Sequence, residues 1–79
     1  MGYVLMRAAV HERMKVAREA IALGHMVFIR MASSGREHRV FAVGYTQHNV
    51  EFMLSEDDGH WMSVEPDEVV AVRVLEGGQ

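Results

Sequence analysis

Between Val40 and Leu54 the chain places apolar residues at alternate positions on both sides of a polar turn, Thr46-Gln47-His48-Asn49. Successive side chains of a strand point to opposite faces, so this spacing describes a β-hairpin. A loop of either two or four residues within 46–49 pairs Tyr45 with Val50, Val43 with Phe52 and Phe41 with Leu54. All six are apolar and share one face, and a slip of one residue would expose the whole set. Every neighbouring apolar run must then join this hairpin.

Those runs follow a helix. Over residues 6–23, Val10, Met14, Ala17 and Ile21 recur on one face of a 3.6-residue period, and His11, Glu12, Arg13, Lys15, Arg18 and Glu19 take other positions. The segment holds no internal Gly or Pro and is rich in good helix formers. Gly24 is a natural stop. Beyond it the period changes to two, with strands expected at His25–Ala32, Arg39–Tyr45, Val50–Ser55, His60–Glu65 and Val69–Leu75. Turns fall at Ser33-Ser34-Gly35 and Asp57-Asp58-Gly59, and Pro66-Asp67-Glu68 reads as one turn of 3₁₀ helix before the last strand. Residues 76–79 form a tail, and 1–79 read as a single domain.

Burial selects the remaining registers. A three-residue loop with Gly59 left-handed sets Leu54 opposite Met62 and Phe52 opposite Val64. A three-residue loop with Gly35 left-handed sets Val27 opposite Phe41, which brings Val27, Ile29 and Met31 into the core. In the last strand Val70, Val72 and Val74 point inward and alternate with Ala71 and Arg73. The opposite face of the sheet then carries Phe28, Val40, Ala42, Gly44, Met53 and Trp61. A solvated outer face is mostly polar, so this one is expected to be covered, in part by the helix and in part by a partner subunit.

Composition narrows the function classes. A chain of 79 residues buries only about 60–65% of its unfolded surface, and small domains offset that with disulfides, metals or oligomerisation. Cysteine is absent, which excludes disulfides and thiolate metal sites. Nearly half the residues are hydrophobic, as in globular domains, and the seven methionines read as adaptable core filling. The formal net charge is −3, with one lysine against seven arginines, which disfavours a general electrostatic grip on nucleic acid. No apolar run reaches the roughly 18–20 residues of a membrane span, and residues 2–7 do not form a signal peptide. A cytoplasmic protein without membrane contact is the expectation.

The order of elements carries a resemblance. A helix ending at Gly24, the strand Val27–Met31, the Gly35 turn, a glycine-bearing strand Arg39–Tyr45, the run Asn49-Val50-Glu51-Phe52-Met53-Leu54 and the connection Glu65-Pro66-Asp67-Glu68-Val69 together resemble the Sm-like proteins. The second half of the chain is also similar to the WYL domain, which is built on an Sm-like barrel. The resemblance implies an α+β, mostly β fold: an N-terminal helix at about 6–23, then a five-stranded antiparallel, strongly bent SH3-like barrel at about 25–75. It also implies assembly through the edges of the last two strands, and RNA as a ligand. Where the bacterial RNA chaperone of that group has a Lys-His pair, this chain has Val64-Glu65-Pro66-Asp67, which is acidic.

Candidate chemistry is sparse. His11, His25, His38, His48 and His60 show no metal-ligand spacing, so no metal or other cofactor is expected. Glu56-Asp57-Asp58-Gly59 is too short for a calcium loop, and Ser33-Ser34-Gly35-Arg36 joins two strands instead of opening a helix on a phosphate. Glu65, Asp67 and Glu68 have no nucleophile beside them. Arg36, His38 and Arg39 could contact an anion or nucleic acid. Trp61 reads as an apolar interface anchor, with base stacking as the alternative. The leading expectation is a non-enzymatic, oligomerising interaction or regulatory module with an interface at Phe28, Val40, Ala42, Met53 and Trp61. An RNA or single-stranded nucleic-acid binder is the alternative, and a small enzyme or ligand-binding domain the third.

Overall fold

The computed structural model describes residues 8–56 and 59–76. Helix α1 spans Ala8–Ala22 and buries Val10, Met14, Ala17 and Ala20, with Ile21 packed at the margin. It ends in a Schellman motif. The His25 amide donates to the Ala20 carbonyl at 3.0 Å, the Gly24 amide donates to Ile21 at 3.0 Å, and Gly24 has φ +85°. The glycine therefore stops the helix for the backbone reason expected of it. The expected start of the helix at residue 6 lies outside the described residues.

Six strands follow: β1 Met26–Met31, β2 Glu37–Val40, β3 Ala42–Tyr45, β4 Val50–Met53, β5 Trp61–Val64 and β6 Val69–Leu75. One turn of 3₁₀ helix, Pro66–Glu68, precedes β6. The strands form two three-stranded antiparallel sheets, ordered β2-β1-β6 and β3-β4-β5. This corrects the closed five-stranded barrel. The α+β, mostly β character stands, but Arg39–Tyr45 is two strands in two sheets.

The reason lies in one loop. The β1–β2 connection is the four-residue loop Ala32–Gly35, closed by Met31 and Arg36 (amide to carbonyl, 3.2 Å), with Gly35 at φ +67°. One residue more than expected moves the register by one, so Val27 faces Val40 and not Phe41. The loop's amides are held from outside: Ala32 donates to the Glu68 carbonyl at 2.8 Å and Ser33 to the Glu68 carboxylate at 3.0 Å. Val40 is thereby buried, 2% exposed, and the central hairpin buries Val43 as well. Residues three apart cannot share a face of an unbroken strand. The chain therefore bends at Phe41, whose amide still donates to the Met53 carbonyl at 2.8 Å.

Two other registers differ. Phe52 pairs with Met62 and Val50 with Val64, two residues from the expected pairing, which lengthens the β4–β5 loop without exchanging faces. Leu54 and Met62 are both exposed. Gly59 takes the left-handed conformation expected of it, while Asp57 and Asp58 at this tip lie outside the described residues. In β6 the pairing with β1 shifts between Arg30 and Met31, so Val69 takes the buried position opposite Met31 and Val70 is exposed. Val72 and Val74 pack against the core as expected.

The core runs from α1 across the inner faces of both sheets: Met14, Val27, Ile29, Val40, Val50 and Phe52 are its most buried large side chains apart from Pro66. The helix thus closes the core instead of covering the outer face. Among the described residues no polar or charged side chain is buried.

Candidate functional site

The antiparallel pairings arrange the outer faces in cross-strand rows. In the β3-β4-β5 sheet, Ala42 pairs with Met53 and Met53 with Trp61. Three of the five residues expected at an interface therefore form one apolar row, which ends on the exposed ring of Trp61. Phe28 lies on the outer face of the other sheet, and Val40 lies in the core, against the expectation that placed it outside.

The outer face of the β2-β1-β6 sheet is built differently. Phe28 in the middle strand pairs with Arg39 on one side and Arg73 on the other. In the next row Arg30 pairs with Glu37 and Ala71. The Arg73 guanidinium lies 4.4 Å from the Phe28 ring centre, and the Arg39 guanidinium 4.5 Å from that of Phe41. A guanidinium over a ring face is attracted by the ring's quadrupole and can still donate its N–H groups to a neighbour. Arg73 uses its N–H fork on Glu37, through Nε and a terminal nitrogen, both at 2.9 Å. Among the described residues no carboxylate forms an ion pair with Arg30 or Arg39.

The Arg73 hydrogen bonds hold the Glu37 carboxyl below its usual range, and the Arg73 and Arg30 charges add to this. Its ionised form is therefore favoured by folding. That contribution is present above the ordinary carboxyl value near 4.5 and is lost as pH falls through the lower folded value. The pair is exposed, so the effect is small. Thermal melts at neutral pH and at pH values below that range should show a slightly smaller acid-induced drop in Tm for Glu37→Gln than for the parent. An equal drop in both would show that the fork contributes nothing.

The expected anion cluster does not come together as one patch. Arg36 sits in the β1–β2 turn, where its amide donates to Ser34 Oγ at 3.2 Å. His38 pairs with Ile29, on the opposite face from Arg39, and its Nε2 lies 3.4 Å from Ser34 Oγ. Arg39 instead joins Arg30 and Arg73. Alternation within β1 and β6 already put those two on the outer face, but only strand pairing shows that they share it with Arg39.

The other ionisable groups are dispersed. His11 packs edge-on against Tyr45 at 5.1 Å between ring centres, with the Arg18 guanidinium 5.8 Å from the same ring. Glu68 holds the Ser33 amide. Among the described residues no three His, Asp or Glu side chains gather as a metal-holding group, and no helix is long and apolar enough to cross a membrane. Compared with protein-family models, curated proteins and solved structures, the chain matches none.

Proposed function

We propose that the chain is a non-enzymatic, oligomerising interaction module whose copies join through the free edges of β5 and β6. The observation that carries this reading is the state of those two edges. The sheets follow one another through Phe41, which leaves β5 and β6 at the two ends of the strand order. Among the described residues no strand pairs with either outer edge. Natural edge strands are blunted by Lys, Pro, bulges or brevity. β6 runs seven residues without Lys or Pro, its bulge lies at one end, and its one charge, Arg73, is engaged by Glu37. Val70, Leu75, Trp61 and Met62 are all exposed large apolar side chains on these two strands.

Pairing β5 of one copy with β6 of the next would satisfy both rows of backbone groups and cover those side chains. Such a contact is heterologous, so it closes into a ring where the rotation permits. A small domain with a thin core gains most from that burial. Light scattering on a size-exclusion column, across a dilution series, should give a mass that is a fixed multiple of the monomer. Trp61→Ser combined with Val70→Ser should shift it to the monomer without loss of helix or strand signal. A parent chain that stays monomeric from high to low micromolar concentration would remove the proposal.

A further inference from the structure

We infer that a small recess at the exit of α1 binds a free α-amino acid of the size of glycine or alanine, with its carboxylate on Arg39 and its ammonium on Glu56. This goes beyond the edge pairing, since no residue of β5 or β6 lines the recess.

Three separate segments meet there. Ile21, Gly24 and His25 come from the helix exit, Arg39, Val40 and Phe41 from the bend between the sheets, and Glu56 from the chain leaving β4. The volume is about 160 Å³. At about 30 Å³ for a water-sized group, such a space takes roughly five or six non-hydrogen atoms. Its lining carries both signs of charge. The Arg39 guanidinium is held over the Phe41 ring at 4.5 Å, and Glu56 supplies a carboxylate. The two border one small space yet form no ion pair with each other. A ligand with a negative end and a positive end, set between them, satisfies both through charge-assisted hydrogen bonds. The helix adds to the preference for a cation. Its C-terminus carries partial negative charge, and the last turn of α1 has no basic residue to meet it. His25 is the remaining titratable residue of the lining, while Ile21, Val40 and Phe41 give an apolar wall for the α-carbon and a methyl group. Either half of the ligand alone fits worse. A simple carboxylate meets Glu56 and the helix end, and a simple amine meets Arg39.

The test is a titration of the isotope-labelled full chain, read from amide NMR shifts at fixed neutral pH. Glycine and L-alanine are compared with acetate, methylammonium and L-tryptophan. Saturable shifts centred on Gly24, His25, Arg39, Phe41 and Glu56 are expected with glycine and alanine, and binding weaker by about tenfold or more with the other three. Arg39→Gln and Glu56→Gln change exposed residues and should fold. Each should weaken alanine by about tenfold, through loss of one charge-assisted hydrogen bond. Glu56→Gln should also bring the affinity for acetate close to that for alanine, a change of selectivity that a merely structural role would not produce. Absence of saturable shifts up to tens of millimolar would overturn the inference. So would shifts centred elsewhere, acetate, methylammonium or tryptophan bound by the parent as tightly as alanine, or unchanged affinity in a folded variant. Should one variant fail to fold, the other decides alone.

Discussion

Val40→Asp should leave the domain unfolded. Val40 is 2% exposed and lies within a core that, among the described residues, holds no buried polar or charged side chain. A carboxylate placed there has no partner. Keeping it buried, charged or protonated, costs several kcal/mol, roughly 3 or more. A domain of 79 residues has about 4–12 kcal/mol of stability in total. Far-UV circular dichroism with a urea titration reads the outcome. The matched control is Ala42→Asp, two residues on and on the outer face, which should fold. The pair discriminates the two registers for the first hairpin. Had Val27 paired with Phe41, Val40 would point to solvent and tolerate aspartate, so a folded Val40→Asp protein with a parental urea midpoint would restore that register.

Phe52→Ala is expected to have the next largest effect. Phe52 is 1% exposed and sits on the middle strand of its sheet, between Val43 and Met62. It is the largest fully buried side chain among the described residues. Truncating such a residue removes its transfer energy and leaves a cavity, at about 3–5 kcal/mol. The strand ladders on both sides hold the backbone in place, so the void does not collapse readily. The urea midpoint should fall steeply or the transition disappear. Protein concentration must be held constant, because assembly would add its own stabilisation. A midpoint shift equivalent to less than about 1 kcal/mol would show that the core is not centred on this ring.

Much of the fold was legible along the chain wherever the determining contacts are local. The pairings Tyr45–Val50 and Val43–Phe52 are as expected, because a short turn between two apolar alternations leaves one register that buries both. The Schellman stop at Gly24 and the 3₁₀ turn at Pro66–Glu68 are equally local, fixed by a glycine and a proline. The candidate site was legible in part. Ala42, Met53 and Trp61 do form one outer row, and Phe28 does lie outside, since alternation within a strand assigns these faces. Arg36 and His38 looked adjacent to Arg39 in sequence, yet a strand sends neighbours to opposite faces.

By itself the sequence determined an acidic, cysteine-free chain of one helix followed by short strands, the exit of that helix, and the central hairpin with its Val43–Phe52 and Tyr45–Val50 pairs, but not the Phe41–Leu54 pair, since Phe41 lies at the bend and Leu54 is exposed. Each of these rests on contacts a few residues apart. The tertiary structure alone decided that Glu68 holds the β1–β2 loop at four residues. From that follow the inward turn of Val40, the bend at Phe41 and two sheets in place of one closed barrel. It decided too that Val69 is buried and not Val70, and that Phe28, Arg39 and Arg73 share one row. These depend on pairings between segments tens of residues apart, where one extra loop residue exchanges every face beyond it.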